Sequence, residues 1–382
     1  MQASKAKSER QIETGSKDKD AVQTQGPMLP KKAPYLLGQI ADILVIGGAS
    51  LLFFMVAYLF VDKNSSINQI SWTAFYLAFY INNPHFMASY VILYWDKRRE
   101  LLSNKRFLWA AIVAPGLVLS YLAYYIRTAN VEMLGYAVNV MYFTVGWHYI
   151  KQIYGTMLVT NARQSYYFTQ TESWILKCTL YPIWFMSYAN SNQSIQSLLH
   201  YGVGYKTFAL PSWTVPAAYT MMGVSFAVLA LTFGRKWIRE GRLPPLAGIC
   251  SLAVIYVWYL PQLYHAVFWY MIPFFHSLQY MLFVTALKKN QYKAEASTIA
   301  DPVAGRVLFA KKFLGFFALI GGMAYLTFYV LPTQMDANIP YDQNVFGPQL
   351  YMFCFITFIN IHHYFIDNVI WRRDNPDLKK YL

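Results

Sequence analysis

Five histidines and an aspartate interrupt apolar stretches in which such side chains are costly. His85, His148, His276, His362 and His363 each lie among large hydrophobic residues, and Asp367 follows His363 by four positions. A charged group at the centre of a membrane helix costs about 2.5–3.5 kcal/mol on insertion scales, so its retention points to use. Residues four apart share a helix face. His363 and Asp367 are therefore a predicted pair in which the carboxylate takes one imidazole proton and fixes the ring's tautomer from behind. Imidazoles without thiolates suit iron, zinc or copper. Four or five neutral imidazoles with at most one carboxylate leave a net positive, non-haem centre. That chemistry is activation of dioxygen by iron, or polarisation of a carbonyl or water by zinc. The expected metal ligands are His85, His148, His276, His362 and His363, with iron favoured and zinc or copper as alternatives. Asp367, Tyr280 and Lys151 are the expected catalytic groups.

Polar companions accompany these histidines at helical spacing. Lys151 and Gln152 follow His148, Gln279 and Tyr280 follow His276, and Ser89 follows His85. Groups three or four positions on can orient an imidazole, or simply satisfy it as an interhelical hydrogen bond. Pro84 and Pro273 adjoin two of the histidines and predict kinks that open space for a buried site. Haem is not indicated, because no helix carries paired histidines at two depths matched by a second helix. The three cysteines, Cys178, Cys250 and Cys354, are scattered and form no metal or haem-attachment pattern.

The elements that carry these residues are predicted from composition. The chain has 382 residues, of which 56% are hydrophobic and 13% charged, against about 25% charged in an ordinary soluble domain. This predicts an all-α, polytopic transmembrane helix bundle. Ten spans are expected, at about 36–60, 71–95, 107–126, 132–159, 174–189, 213–233, 246–260, 263–287, 307–330 and 347–371. Residues 1–32 read as a disordered polar tail without the apolar core of a signal peptide. Residues 33–373 form the expected bundle and 374–382 a basic cytoplasmic C-terminus. The net charge of +14 resides in loops. Lys97, Arg98 and Arg99, then Arg235, Lys236 and Arg239, then Lys288 and Lys289, alternate with loops poor in Lys and Arg. That alternation places both termini in the cytoplasm. No nucleic-acid-binding motif accompanies the charge, so nucleic acid is excluded as a partner.

With that topology His85, His148, His276 and His362 each lie about ten to twelve residues from one end of their helices, which is roughly 15–18 Å in depth. Four helices thus place histidine at one level, with His363 beside it. His200 and His265 fall outside this layer.

The pattern His362-His363-Tyr364-Phe365-Ile366-Asp367, closed by Ile370 and Trp371, resembles that of uncharacterised polytopic bacterial membrane proteins. In design the chain is also similar to integral-membrane histidine-cluster iron enzymes. The HxxHH boxes of desaturases are absent. The arrangement resembles carotene-cleaving membrane dioxygenases, which place single histidines within helices around one iron. The resemblance implies a multi-pass protein of the bacterial inner membrane that oxidises a lipid, isoprenoid or other hydrophobic small molecule within the bilayer. A second reading makes the chain a proton-coupled transporter or channel in which the histidines, Asp367 and Lys151 form a relay.

Overall fold

The computed structural model describes residues 33–60, 67–194, 198–261 and 267–382. The polar tail expected over 1–32 and His265 lie outside the described residues. The described residues are mainly helical, with one short hairpin, connecting loops and a four-residue turn of helix at Gln343–Phe346 besides the helices named below. In chain order the helices are α1 (39–60), α2 (Ile67–Val91, prolonged by a π turn, Ile92–Asp96), α3 (Lys105–Arg127), α4 (Val131–Arg163), α5 (Gln170–Ser194), α6 (Thr214–Glu240), α7 (Leu246–Tyr259), α8 (Val267–Ala296), α9 (Pro302–Asn338), α10 (Leu350–Ile370) and α11 (Pro376–Tyr381). Strands β1 (Leu199–His200) and β2 (Val203–Gly204) pair antiparallel, with Leu199 opposite Gly204.

Local chemistry accounts for the helix ends. Asn104, Asn130, Asp301 and Asn375 each accept a backbone N–H from the first turn of α3, α4, α9 and α11. These bonds satisfy donors that a helix start leaves open. Gly241 ends α6 with φ 68°, a left-handed conformation open to glycine at little cost. Gly146 lets α4 approach α5, since a Cβ there would lie 2.6 Å from the Trp184 ring.

The expectation of about ten membrane spans with both ends in the cytoplasm is corrected here. Among the described residues four helices are long and apolar enough to cross a membrane: Gln39–Ala57, Lys105–Arg127, Thr214–Glu240 and Pro302–Asn338. These four give the chain its membrane-associated, multi-pass character. Helices occupy the other expected segments, but α7 is apolar and only 14 residues long, and the rest are too polar. α2 carries Asn82 and Asn83, α4 carries Lys151 and Gln152, α8 carries Gln279 and Lys288, and α10 carries two histidines and Asp367. Their packing resembles that of a water-soluble domain, with buried ion pairs and aromatic clusters. Lys288 is buried and pairs with Asp96, while buried Lys97 lies 3.1 Å from Glu100 and 2.7 Å from Asp377. The loop-charge alternation loses its force once the intervening helices are no longer spans.

The polar helices form the interior. α8 packs along α2, and α10 packs against both α2 and α4. The apolar helices stay largely exposed, and only 17% of the most apolar window of α6 is buried. On α6 the side chain of Val224 is 59% exposed. A lysine there meets hydrocarbon near the helix centre, whereas one at Ile238 reaches the helix end and snorkels. Val224→Lys is therefore expected to lower recovery in the alkali-resistant membrane fraction, and Ile238→Lys to leave it unchanged. Equal recovery of the two variants would refute a membrane-crossing α6.

One ion-pair network joins α5 to α6. Glu172 accepts from Arg239 at 2.7 Å, from Lys236 at 3.2 Å and from the Thr169 N–H at 2.8 Å. Burial pushes its carboxyl upward, but these bonds outweigh burial and hold it below the usual glutamate value of 4.5. A depressed folded value means the contribution is complete above the unfolded value and is lost as pH falls through the folded one. The melting temperature should thus drop as pH is lowered from 4.5. Glu172→Gln should remove that part of the pH dependence; an identical profile for the variant counts against the network.

Candidate metal centre

Four helices bring four imidazoles together. His85 comes from α2, His148 from α4, His276 from α8 and His363 from α10, and all four are buried. Their rings form a closed cycle. His85 and His276 are 5.2 Å apart between centroids, His276 and His148 5.0 Å, His148 and His363 5.0 Å, and His363 and His85 4.7 Å. Each neighbouring pair stands close to perpendicular, at 75–86°. One donor atom each from His85, His276 and His363 lies within 4.8 Å of the others, and the same holds for His148, His363 and Asp367.

Hydrogen bonds decide which ring nitrogens are free. Nδ1 of His85 faces the carbonyl oxygen of Asn82, which only accepts, so Nδ1 carries the proton and Nε2 holds the lone pair. Ser277 Oγ, 3.0 Å from the same nitrogen, spends its own proton on Asn82 Oδ1. Nδ1 of His363 lies 2.9 Å from Ser89 Oγ, and Ser89 donates to the Phe86 carbonyl at 2.7 Å. With that hydroxyl proton committed, His363 Nδ1 must donate, which leaves Nε2 as its lone pair.

The free nitrogen of His363 meets a carboxylate. Asp367 accepts the Tyr280 hydroxyl on Oδ1 at 2.9 Å. Its Oδ2 lies 3.2 Å from His363 Nε2 and 3.4 Å from His148 Nε2. His85 Nε2, His148 Nε2, His276 Nδ1, His363 Nε2 and Asp367 Oδ2 are all buried without a hydrogen-bond partner. Two lone pairs, on His363 and Asp367, thus face each other in a dry interior. That arrangement repels unless a metal ion or a proton lies between them. The small cavity of about 10 Å³ at this point is lined by His85, His148, His276 and His363 together with Tyr149 and Tyr364. The donor set fits a metal ion of the imidazole-binding group. His363 has a single free lone pair and belongs to both triads, so the two triads fit one ion in common.

The other expected site residues are placed elsewhere. His362 lies outside the donor set: its Nε2 donates to the Ala110 carbonyl at 2.9 Å and its Nδ1 accepts from the Tyr90 hydroxyl at 2.8 Å. Both nitrogens are spent on holding α10 to α2 and α3. Lys151 also lies outside, bonded to Asn368 Oδ1 at 2.8 Å. Tyr280 touches the site through Asp367, and its ring lies 5.0 Å from that of His85. Asp367 enters the donor set itself, rather than standing behind His363. His200, on β1, packs against Tyr142 and Phe353, away from the centre. Ser277 went unnoticed in the sequence, and its only signal was adjacency to His276. Ser89 was noticed as a companion of His85, but its bond goes to His363 on another helix.

Comparison of the chain with protein-family models, with curated proteins and with solved structures gives no match. The site therefore rests on its own geometry, a buried His/Asp cluster in a largely helical protein with several long apolar helices.

Ligand and hydrogen-bonding roles separate by substitution. His363→Ala, His148→Ala and His276→Ala are expected to lose bound metal in elemental analysis. His362→Ala should keep it and melt at lower temperature. Ser89→Ala should weaken metal affinity by about 10–100-fold, the usual effect of removing the partner that orients a ligand. Metal retained in His363→Ala but lost in His362→Ala would reverse the assignment.

Proposed function

We propose that this chain is a membrane metalloenzyme with one non-haem ion, iron in preference to zinc or copper, that oxidises a lipid or isoprenoid substrate. The observation that carries this reading is the set of five buried, unpartnered donor atoms, four from imidazoles and one from Asp367. Four neutral imidazoles and one carboxylate leave a divalent ion with residual positive charge. A bound iron would supply the electrons that activate dioxygen.

The protein's own part is positioning. Ser89 and Asn82 hold His363 and His85 with their lone pairs inward. Tyr280 holds one carboxylate oxygen and leaves the other for the ion. Its hydroxyl proton lies against that carboxylate oxygen, which suits it to proton delivery. Phe86, Tyr149 and Tyr364 give the small cavity between the imidazoles an aromatic side, which suits an apolar substrate better than a hydrophilic one. Several membrane-length helices supply the setting in which such a substrate dissolves.

The test is metal content followed by turnover. Protein expressed with iron, zinc and copper available should retain close to stoichiometric iron. The iron-loaded protein should take up dioxygen when unsaturated acyl or isoprenoid lipids are added. His148→Ala should abolish uptake, and Asp367→Asn should reduce it strongly. Only trace metal in gently purified wild-type protein would end the enzyme reading. It would leave the histidines, Asp367 and Lys151 as a proton relay.

A further inference from the structure

One group near the centre has no role in holding an ion. Lys151 lies one helical turn beyond His148 on α4 and meets Asn368, the residue that follows Asp367 on α10. Its ammonium is half-buried and accepts no carboxylate partner among the described residues. It is held instead by neutral groups. Asn368 Oδ1 lies at 2.8 Å and the Tyr364 hydroxyl at 3.4 Å. The rings of Trp147 and Tyr364 lie at 5.1 Å and 5.3 Å from it. These contacts fix the position of the charge without cancelling it.

The neighbours add to the charge. Lys177 on α5 and Arg372, just past α10, are close enough to repel the Lys151 ammonium. Lys177 rests over Trp174 and has no carboxylate partner among the described residues. Arg372 is paired with Asp374, but Asp374 also serves Arg106. Of Lys151, Lys177 and Arg372, only Arg372 meets a carboxylate among the described residues, and that carboxylate is divided with Arg106. The indole N–H of Trp147 is buried without an acceptor as well. Repelling cations beside an unfilled N–H donor mark a place for an oxyanion.

Tyr364 connects this place to the centre. Its ring lies 5.6 Å from Trp147 and 6.4 Å from His148, and it lines the cavity between the imidazoles. We propose that Lys151, backed by Lys177 and Arg372, binds the oxyanion head of a single-chain amphiphile, so that the substrate is an anionic lipid rather than a neutral isoprenoid. Calling the ligand a substrate rests on the metalloenzyme reading above, whereas the binding site does not depend on it.

The full chain in a neutral maltoside detergent is titrated with dodecanoate, dodecyl phosphate, dodecanol and inorganic phosphate by calorimetry. Dodecanoate and dodecyl phosphate should bind, and dodecanol and inorganic phosphate should bind at least about tenfold more weakly, as loss of a charge-assisted contact or of the buried chain implies. Lys151→Gln should weaken dodecanoate about tenfold or more and leave dodecanol and metal content unchanged. Lys151→Arg should restore binding, which separates loss of charge from damage to the fold. Binding should persist in metal-stripped protein, so failure of this site and failure of the metalloenzyme reading are told apart. Dodecanol binding as tightly as dodecanoate, or dodecanoate binding unaffected by Lys151→Gln, would overturn the proposal. Inorganic phosphate competing as well as dodecyl phosphate would overturn the amphiphile and leave a free-anion site.

Discussion

The fold is built around an electrostatic conflict. A carboxylate oxygen and imidazole nitrogens face one another at 3.2 Å and 3.4 Å in a buried space. Burying an ionised group without compensation is among the most costly things a protein does. Here the cost is not relieved by a lysine or arginine, because the nearest candidate, Lys151, bonds to Asn368 and Tyr364 instead. The hydrogen bonds around the cluster do not relieve it either. The imidazole N–H bonds to Ser89 and Asn82 aim the opposite ring nitrogens inward, and Tyr280 donates to one carboxylate oxygen and leaves the other unmatched. Either a metal ion held by the cluster or a proton shared between Asp367 and an imidazole resolves this conflict.

That constraint explains the division of the helices. A helix that carries a ligand must also carry the groups that orient ligands on its neighbours. Ser89 on α2 serves His363 on α10, and Ser277 on α8 serves His85 on α2. Gln152 on α4 donates to the His276 carbonyl and to Gln279, and Gln279 reaches the Ile46 carbonyl. The ligand-bearing helices are therefore too polar to stand alone in lipid and pack together inside. The helices with long apolar stretches, such as α3 and α6, carry none of the four clustered histidines and remain more exposed. His362 is part of the same framework: its two bonds, to Tyr90 and Ala110, fix α10 so that His363 turns inward.

Much of this was legible in residue order. Apolar runs located the helices, and isolated histidines at similar distances along four of them pointed to His85, His148 and His276, which converge, and to His362, which does not, with His363 beside it. The four-residue spacing of His363 and Asp367 placed both on one face, and the structure keeps them 3.2 Å apart. The number of membrane-crossing helices was misread, because loop charge and apolar content were counted without asking whether polar residues inside a helix had partners on other helices.

Other features emerge only on folding, because they depend on the rotation of one helix against another. Adjacent histidines on a helix point about 100° apart, so His362 and His363 cannot both face the centre, and nothing local says which one does. That choice follows from where Tyr90 and Ala110 stand on α2 and α3. Whether Asp367 acts from behind a ligand or joins the donor set depends on the approach of α4, which brings His148 to its second oxygen. Lys151 shares a helix with His148, yet its direction is set by Asn368 across the contact with α10. Composition and spacing carry the chemistry a chain has available; long-range packing assigns each group its neighbour, and here the neighbour separates a ligand from a strut.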